Sequence, residues 1–156
     1  MVVHFPLALV LTGTALLLAS RLVTSRLVTS RQLRRPGLDA TLAVVGTWNL
    51  CLGAVAALFA LGTGLAAAVG LAIEPSAHQA VAAHFRWATV TSLTLVFLAV
   101  WRGAGSAPGS RPSWVFLALL LAASAALIET GYRGGQNVYR FGVGVHGFSA
   151  PNSSVP

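Results

Sequence analysis

Four histidines, His4, His78, His84 and His146, are the residues best suited to chemistry, since imidazole is a common metal ligand and a poor lipid-facing group. Three stand where long apolar runs begin, and His146 follows the last run. Read as helix ends, all four share one face of a membrane bundle, which suggests a haem or metal site near one surface. His4 and His84 open parallel helices, so both are expected to project inward at comparable depth. Alanine follows each on the same helical face, Ala8 and Ala88, with Ala15 and Thr91 further along. Such small neighbours leave room for a flat ligand like a porphyrin. The competing reading has these histidines hydrogen-bonding helix ends or lying at the interface. His78 and His84 are separated by about 240° on a regular helix, so they cannot share a pocket, and an interfacial place is expected for His78. His146 is a candidate loop ligand.

Charged residues accompany this end. Glu129 can pair with Arg133 one turn later, or serve as a proton relay or as a partner orienting a ligand histidine. Glu74 lies between the second and third runs. Arg86, Arg133 and Arg140 are candidates to hold haem propionates, because a guanidinium pairs with carboxylates in a bidentate way; lipid headgroups are their alternative partners. Cys51 is the one cysteine, so no disulfide framework exists, and without a Cys-x-x-Cys-His motif covalent c-type haem is excluded while haem b stays open. Asn49 and Cys51 are expected to make interhelical contacts.

The elements that must position these groups follow from composition. Of 156 residues, 56% are hydrophobic and only 8% charged, which is too little charged surface for a soluble domain of this size. The net charge of +7 comes from ten arginines, most of them in short connections between apolar runs. That is the positive-inside pattern of a membrane protein and not a nucleic-acid groove. The expected fold is an all-α, four-transmembrane-helix up-down bundle over residues 1–145, with a polar tail at 146–156. Helix one spans about Val2 to Leu22, and helix two Asp39 to Ala72. The second run exceeds the ~30 Å hydrocarbon core, so it should tilt, protrude or loosen around Gly62-Thr63-Gly64. Helix three spans about Ser76 to Trp101, and helix four Pro112 to Gly131. Gly131, Gly134 and Gly135 are expected to end helix four, with Val138 to Val143 extended across the bundle end as a cap.

Five arginines follow helix one, and Arg102 and Arg111 follow helix three. Both termini and the four histidines are therefore expected on the non-cytoplasmic side. The first helix lacks a charged n-region and an Ala-x-Ala site, so a retained helix is expected rather than a signal peptide. The repeat Arg21-Leu-Val-Thr-Ser, Arg26-Leu-Val-Thr-Ser steps about 140° at a time, so its arginines share no face; a lipid-anchoring segment is the expected role, a partner-docking one the alternative.

The opening Val3-His4-Phe5-Pro6-Leu7-Ala8-Leu9, His84 near the start of helix three, and the ending Gly134-Gly135-Gln136-Asn137-Val138-Tyr139-Arg140-Phe141-Gly142-Val143-Gly144-Val145 resemble the bacterial membrane family catalogued as domain of unknown function 2231. The resemblance covers about Val2 to Val145 and implies four transmembrane helices. Members stand joined to or near Rieske-type iron–sulfur domains, which implies redox work. The family's first histidine corresponds to His4 and its helix-three histidine to His84. Many members carry histidine before Gly-Val-Gly-Val, where this chain has Phe141, so His146 stands as a substitute or the site differs.

Together these readings point to a small multi-pass subunit of the bacterial inner membrane that binds haem b near its non-cytoplasmic face through His4 and His84. It would transfer electrons within a larger redox complex, with an iron–sulfur or cytochrome c protein as partner. Two axial histidines would favour electron transfer over oxygen binding. No nucleophile–base arrangement or nucleotide motif is present, so catalysis is not expected within this chain. The alternatives are a cofactor-free structural or assembly subunit, and a metal-handling membrane protein.

Overall fold

The computed structural model describes residues 4–24, 37–70 and 75–145. Four helices carry the fold: α1 (His4–Thr24), α2 (Leu38–Gly70), α3 (His78–Ala104) and α4 (Trp114–Tyr139), with a 3-10 turn at Pro75–Ala77 leading into α3. All four are long and apolar enough to cross a membrane, and among the described residues no strand is present. Helix is the form such runs must take in hydrocarbon, where each backbone N–H and C=O has to be satisfied within the segment.

Contacts between the helices define an antiparallel ring. Gly13 approaches Gly46 and Leu50, while Gly53 approaches Val10, so α1 and α2 run in opposite directions. Thr14 meets Ser124 and Arg21 meets Trp114, which sets α4 antiparallel to α1. Arg102 reaches Thr47, and His84 reaches Thr130, which reverses α3 against both neighbours. The order round the ring is α1, α2, α3, α4, with α1 and α3 on a diagonal. This is the expected up-down bundle.

Val10, Leu17, Leu50, Leu95, Leu98, Leu117 and Leu120 form its centre, all at most 1% exposed. Large apolar side chains such as Trp48, Phe59, Phe97 and Val115 point outward, as befits helices whose outer solvent is lipid. Hydroxyls in the interior return to their own helix: Thr14 donates to Val10 O at 2.7 Å and Ser124 to Leu120 O at 2.8 Å. Back-bonding of this kind lets a polar side chain enter an apolar core at little cost.

Helix α2 takes the protruding alternative of the sequence reading, and helix α4 differs from that reading. Helix α2 stays continuous for 33 residues, about 50 Å at the usual rise. It does not loosen at Gly62-Thr63-Gly64; Thr63 instead hydrogen-bonds to Phe59 O and Ala60 O, and the exposed stretch 62–67 extends past the packed part of the bundle. Helix α4 runs on through Gly131, Gly134 and Gly135 to Tyr139, so these glycines do not end it and Val138–Val143 is not extended. The stop lies further on, where Gly142 (φ 62) turns the chain and the N–H groups of Gly142 and Val143 take the carbonyls of Val138 and Asn137. A glycine inside a helix costs only about 1 kcal/mol, less than leaving backbone groups unsatisfied at a membrane boundary. Ser113 caps the start of α4, accepting from Phe116 N at 3.1 Å.

Candidate functional site around His84

His84, Ala88, Thr91 and Leu95 fall at helical spacing on the face of α3 that turns toward the bundle, half-buried at His84 and fully buried from Thr91 onward. The ring of His84 lies against α4. Its Nδ1 is 3.1 Å from the carbonyl oxygen of Thr130. A carbonyl only accepts, so Nδ1 carries the proton and Nε2 keeps its lone pair. One turn on, Gly134 makes room for the ring: a Cβ there would stand 3.0 Å from Cε1. This close approach, not helix termination, is what Gly134 supplies. The Thr130 hydroxyl donates to Ala126 O at 2.8 Å and stands 3.3 Å from the Thr91 hydroxyl, so Thr91 is the donor across the seam.

Arg133 sits beside this contact. Its Nε is 2.8 Å from Glu129 Oε1, the expected pairing of the two, and its guanidinium lies over the Trp87 ring at 5.3 Å. α3 and α4 thus meet through His84–Thr130, Thr91–Thr130 and Trp87–Arg133 within a few turns.

The other candidates are placed differently. His4 is exposed in the first turn of α1 and does not project inward as expected. The buried stripe of α1 is Pro6, Val10, Gly13, Thr14 and Leu17, and His4 is about 200° from Pro6, on the opposite face. Ala8 and Ala15 lie exposed with it. His78 is the exposed first residue of α3, apart from His84. Arg86 is exposed, and Arg140, at the end of α4, is exposed with its guanidinium 5.6 Å from the Phe141 ring. His146, Glu74 and the second copy of the arginine repeat lie outside the described residues. Among the described residues no group of three His, Cys, Asp or Glu is gathered as for a metal ion.

Sequence reasoning missed Arg102. Only 4% exposed in the last turn of α3, it donates from Nε to Thr47 Oγ1 at 3.2 Å, from Nη1 to Ser110 Oγ at 3.0 Å, and from Nη2 to the Ser110 carbonyl. An arginine followed by a Gly/Ser/Pro loop reads as a topology signal; the serine eight residues on was the available hint. Asn49 packs its Cβ against Gly13 of α1, an interhelical contact, while its amide donates to Val45 O of its own helix at 2.9 Å.

No curated protein and no solved structure matches the chain. A family model described as "Predicted membrane protein (DUF2231)" matches residues 1–147, nearly the whole chain including His4, His84 and the Gly134–Val145 ending, and the chain belongs to that family.

Proposed function

We propose that this membrane protein is a small haem b-binding subunit that passes electrons within a larger redox complex of the bacterial inner membrane. The observation that carries the reading is the His84 ring. Its Nδ1–H is committed to the Thr130 carbonyl at 3.1 Å, which leaves Nε2 as a basic donor. Proteins orient ligand imidazoles in this way, with one nitrogen fixed by a carbonyl and the other free for the metal. Gly134 admits the ring itself against α4, and the half-buried Arg133 beside it, paired with Glu129, is the neighbouring cation that a propionate would have to share. When bound, haem would supply reversible one-electron iron chemistry. His84 would hold it, Thr130 would fix the tautomer and tilt of the ring, and the apolar helices would exclude water. The arginine distribution favours the non-cytoplasmic side for this end, which would open it to an iron–sulfur or cytochrome c partner. The two-histidine version adds His4, which stands at the same end of the bundle but on the outer face of α1. The reading therefore rests on His84, and His4 separates a two-histidine site from a one-histidine site.

The same contact favours a second reading, a cofactor-free structural subunit. A histidine seated on the backbone of a neighbouring helix is a complete α3–α4 staple by itself. Visible spectroscopy of protein purified from haem-replete cells decides between them. The proposal expects Soret and α-band changes on reduction and a b-type pyridine haemochrome, both lost in His84→Ala. Loss in His4→Ala as well assigns the pair. A colourless wild-type preparation overturns the haem reading and leaves the structural one.

A further inference from the structure

At the other end of the bundle a cavity of about 260 Å³ lies between α2, α3 and the 105–113 loop. Val44, Thr47, Trp48 and Cys51 of α2 line it, with Arg102 and Gly103 of α3 and the loop residues 106–109. The guanidinium of Arg102 is the charge in its wall. A guanidinium has five N–H donors, and the three hydrogen bonds of Arg102 all go to neutral oxygens, those of Thr47 and Ser110. The ion pairs among the described residues are Arg111–Asp39 and Arg133–Glu129, and neither reaches Arg102. The remaining acidic residue of the sequence, Glu74, lies outside the described residues. A nearly fully buried cation beside a cavity, with donors to spare and no carboxylate against it among the described residues, suits an anion.

The geometry points to a binding site for the phosphate of an anionic membrane phospholipid, held by Arg102 between α2, α3 and the 105–113 loop. Size argues for a headgroup: the cavity is smaller than the roughly 300–1,000 Å³ that encloses a drug-sized ligand. The lining argues for a lipid over a free ion. Apart from Arg102 and a few hydroxyls it is apolar, and Trp48 beside it is 65% exposed toward the surrounding membrane. A glycerol backbone and acyl chain would cover that surface, whereas an inorganic ion would leave it bare. Charge argues for an anionic headgroup, because phosphatidylglycerol brings one unbalanced negative charge to one unbalanced positive charge. Phosphatidylcholine carries its own cation and gains less. The loop is built to stay in place over Arg102: Gly109 (φ 75) rests on Ala40 of α2, where a Cβ would come within 3.2 Å, and Ser110 N bonds Ala107 O at 3.0 Å.

Native mass spectrometry of the detergent-solubilised full chain tests the site, with phosphatidylglycerol, phosphatidylcholine and inorganic phosphate as probes. Wild type should retain phosphatidylglycerol roughly tenfold better than phosphatidylcholine. Arg102→Gln should lose that retention. Gly103→Leu should lose it too, and keeps the test decisive if Arg102→Gln fails to fold, because a Cβ at Gly103 meets only Cys51 Sγ at 4.0 Å and the side chain fills the cavity. Arg111→Gln, at an exposed arginine already paired with Asp39, should bind like wild type. Undiminished phosphatidylglycerol binding by Gly103→Leu overturns the site. Displacement of the lipid by equimolar inorganic phosphate overturns the lipid assignment in favour of a free anion.

Discussion

Alanine at Gly134 and alanine at Gly135 differ in one respect, the presence of His84. In a helix either exchange recovers roughly 0.5–1 kcal/mol of backbone entropy. At Gly135 a Cβ meets nothing within 4 Å, so that gain is kept. At Gly134 it would stand 3.0 Å from His84 Cε1, 3.6 Å from Nδ1 and 3.7 Å from Nε2, inside the roughly 3.5–4.0 Å optimum for carbon contacts. The imidazole must retreat by about half an ångström, which carries Nδ1 out of good hydrogen-bond range of Thr130 O and loses about 1 kcal/mol. Gly135→Ala should therefore stabilise the bundle by roughly 0.5–1 kcal/mol, and Gly134→Ala should leave it unchanged or slightly weaker. Unfolding in mixed dodecylmaltoside–SDS micelles, followed by circular dichroism, measures both. A double-mutant cycle with His84→Ala isolates the contact: in the absence of the ring Gly134→Ala should regain the stability seen at 135, a coupling of about 1 kcal/mol. Equal stabilisation by both alanines, with no coupling to His84, would refute the assignment of Gly134 to the ring.

Two further outcomes test the packing. Gly13→Ala places a Cβ 3.0 Å from both Gly46 O and Leu50 N, backbone atoms that cannot rotate aside, and should cost roughly 1–3 kcal/mol in the same unfolding assay, while Gly62→Ala, with open space around it, should stabilise by roughly 0.5–1 kcal/mol as at Gly135. Thr14→Val and Ser124→Ala each remove one side of a 3.0 Å hydroxyl contact between α1 and α4; one of the two must share its proton with its own-helix carbonyl to donate across, so in a double-mutant cycle the pair should couple by less than the roughly 0.6 kcal/mol average for such bonds in membrane bundles.

The helices were legible because apolar runs of this length have one stable form in hydrocarbon, and the antiparallel order followed from short connections. Facing directions were less so. Helix α1 is apolar nearly all round, so His4 could be placed at the correct end but not on the correct side; Gly13 fixes the buried face, and its partners Gly46 and Leu50 lie on another helix. Gly134 was read as punctuation because local sequence cannot distinguish a glycine that stops a helix from one that admits a ring 50 residues away in the chain. The Glu129–Arg133 pair, by contrast, is local at four residues' spacing and was visible from the outset. Arg102 was invisible as a site because burial is a tertiary property: Thr47, 55 residues distant, completes its surroundings.

The two helical hairpins differ in mechanical compliance. The α1–α2 seam is closed by backbone meeting backbone at Gly13 and by the Leu17 and Val10 side chains seated directly on Gly46 and Gly53, and at Gly13 no rotamer change relaxes the contact, so this pair is the stiffer one. The α3–α4 seam near its exposed end is closed by an imidazole, two hydroxyls and an arginine over an indole, each with other rotamers within reach. A load on His84, from a ligand or a docking protein, would pass into α4 through the Thr130 carbonyl, and the side-chain contacts of that seam are the ones able to yield to it. The glycine-lined pair provides the stiffer reference against which that yielding is felt.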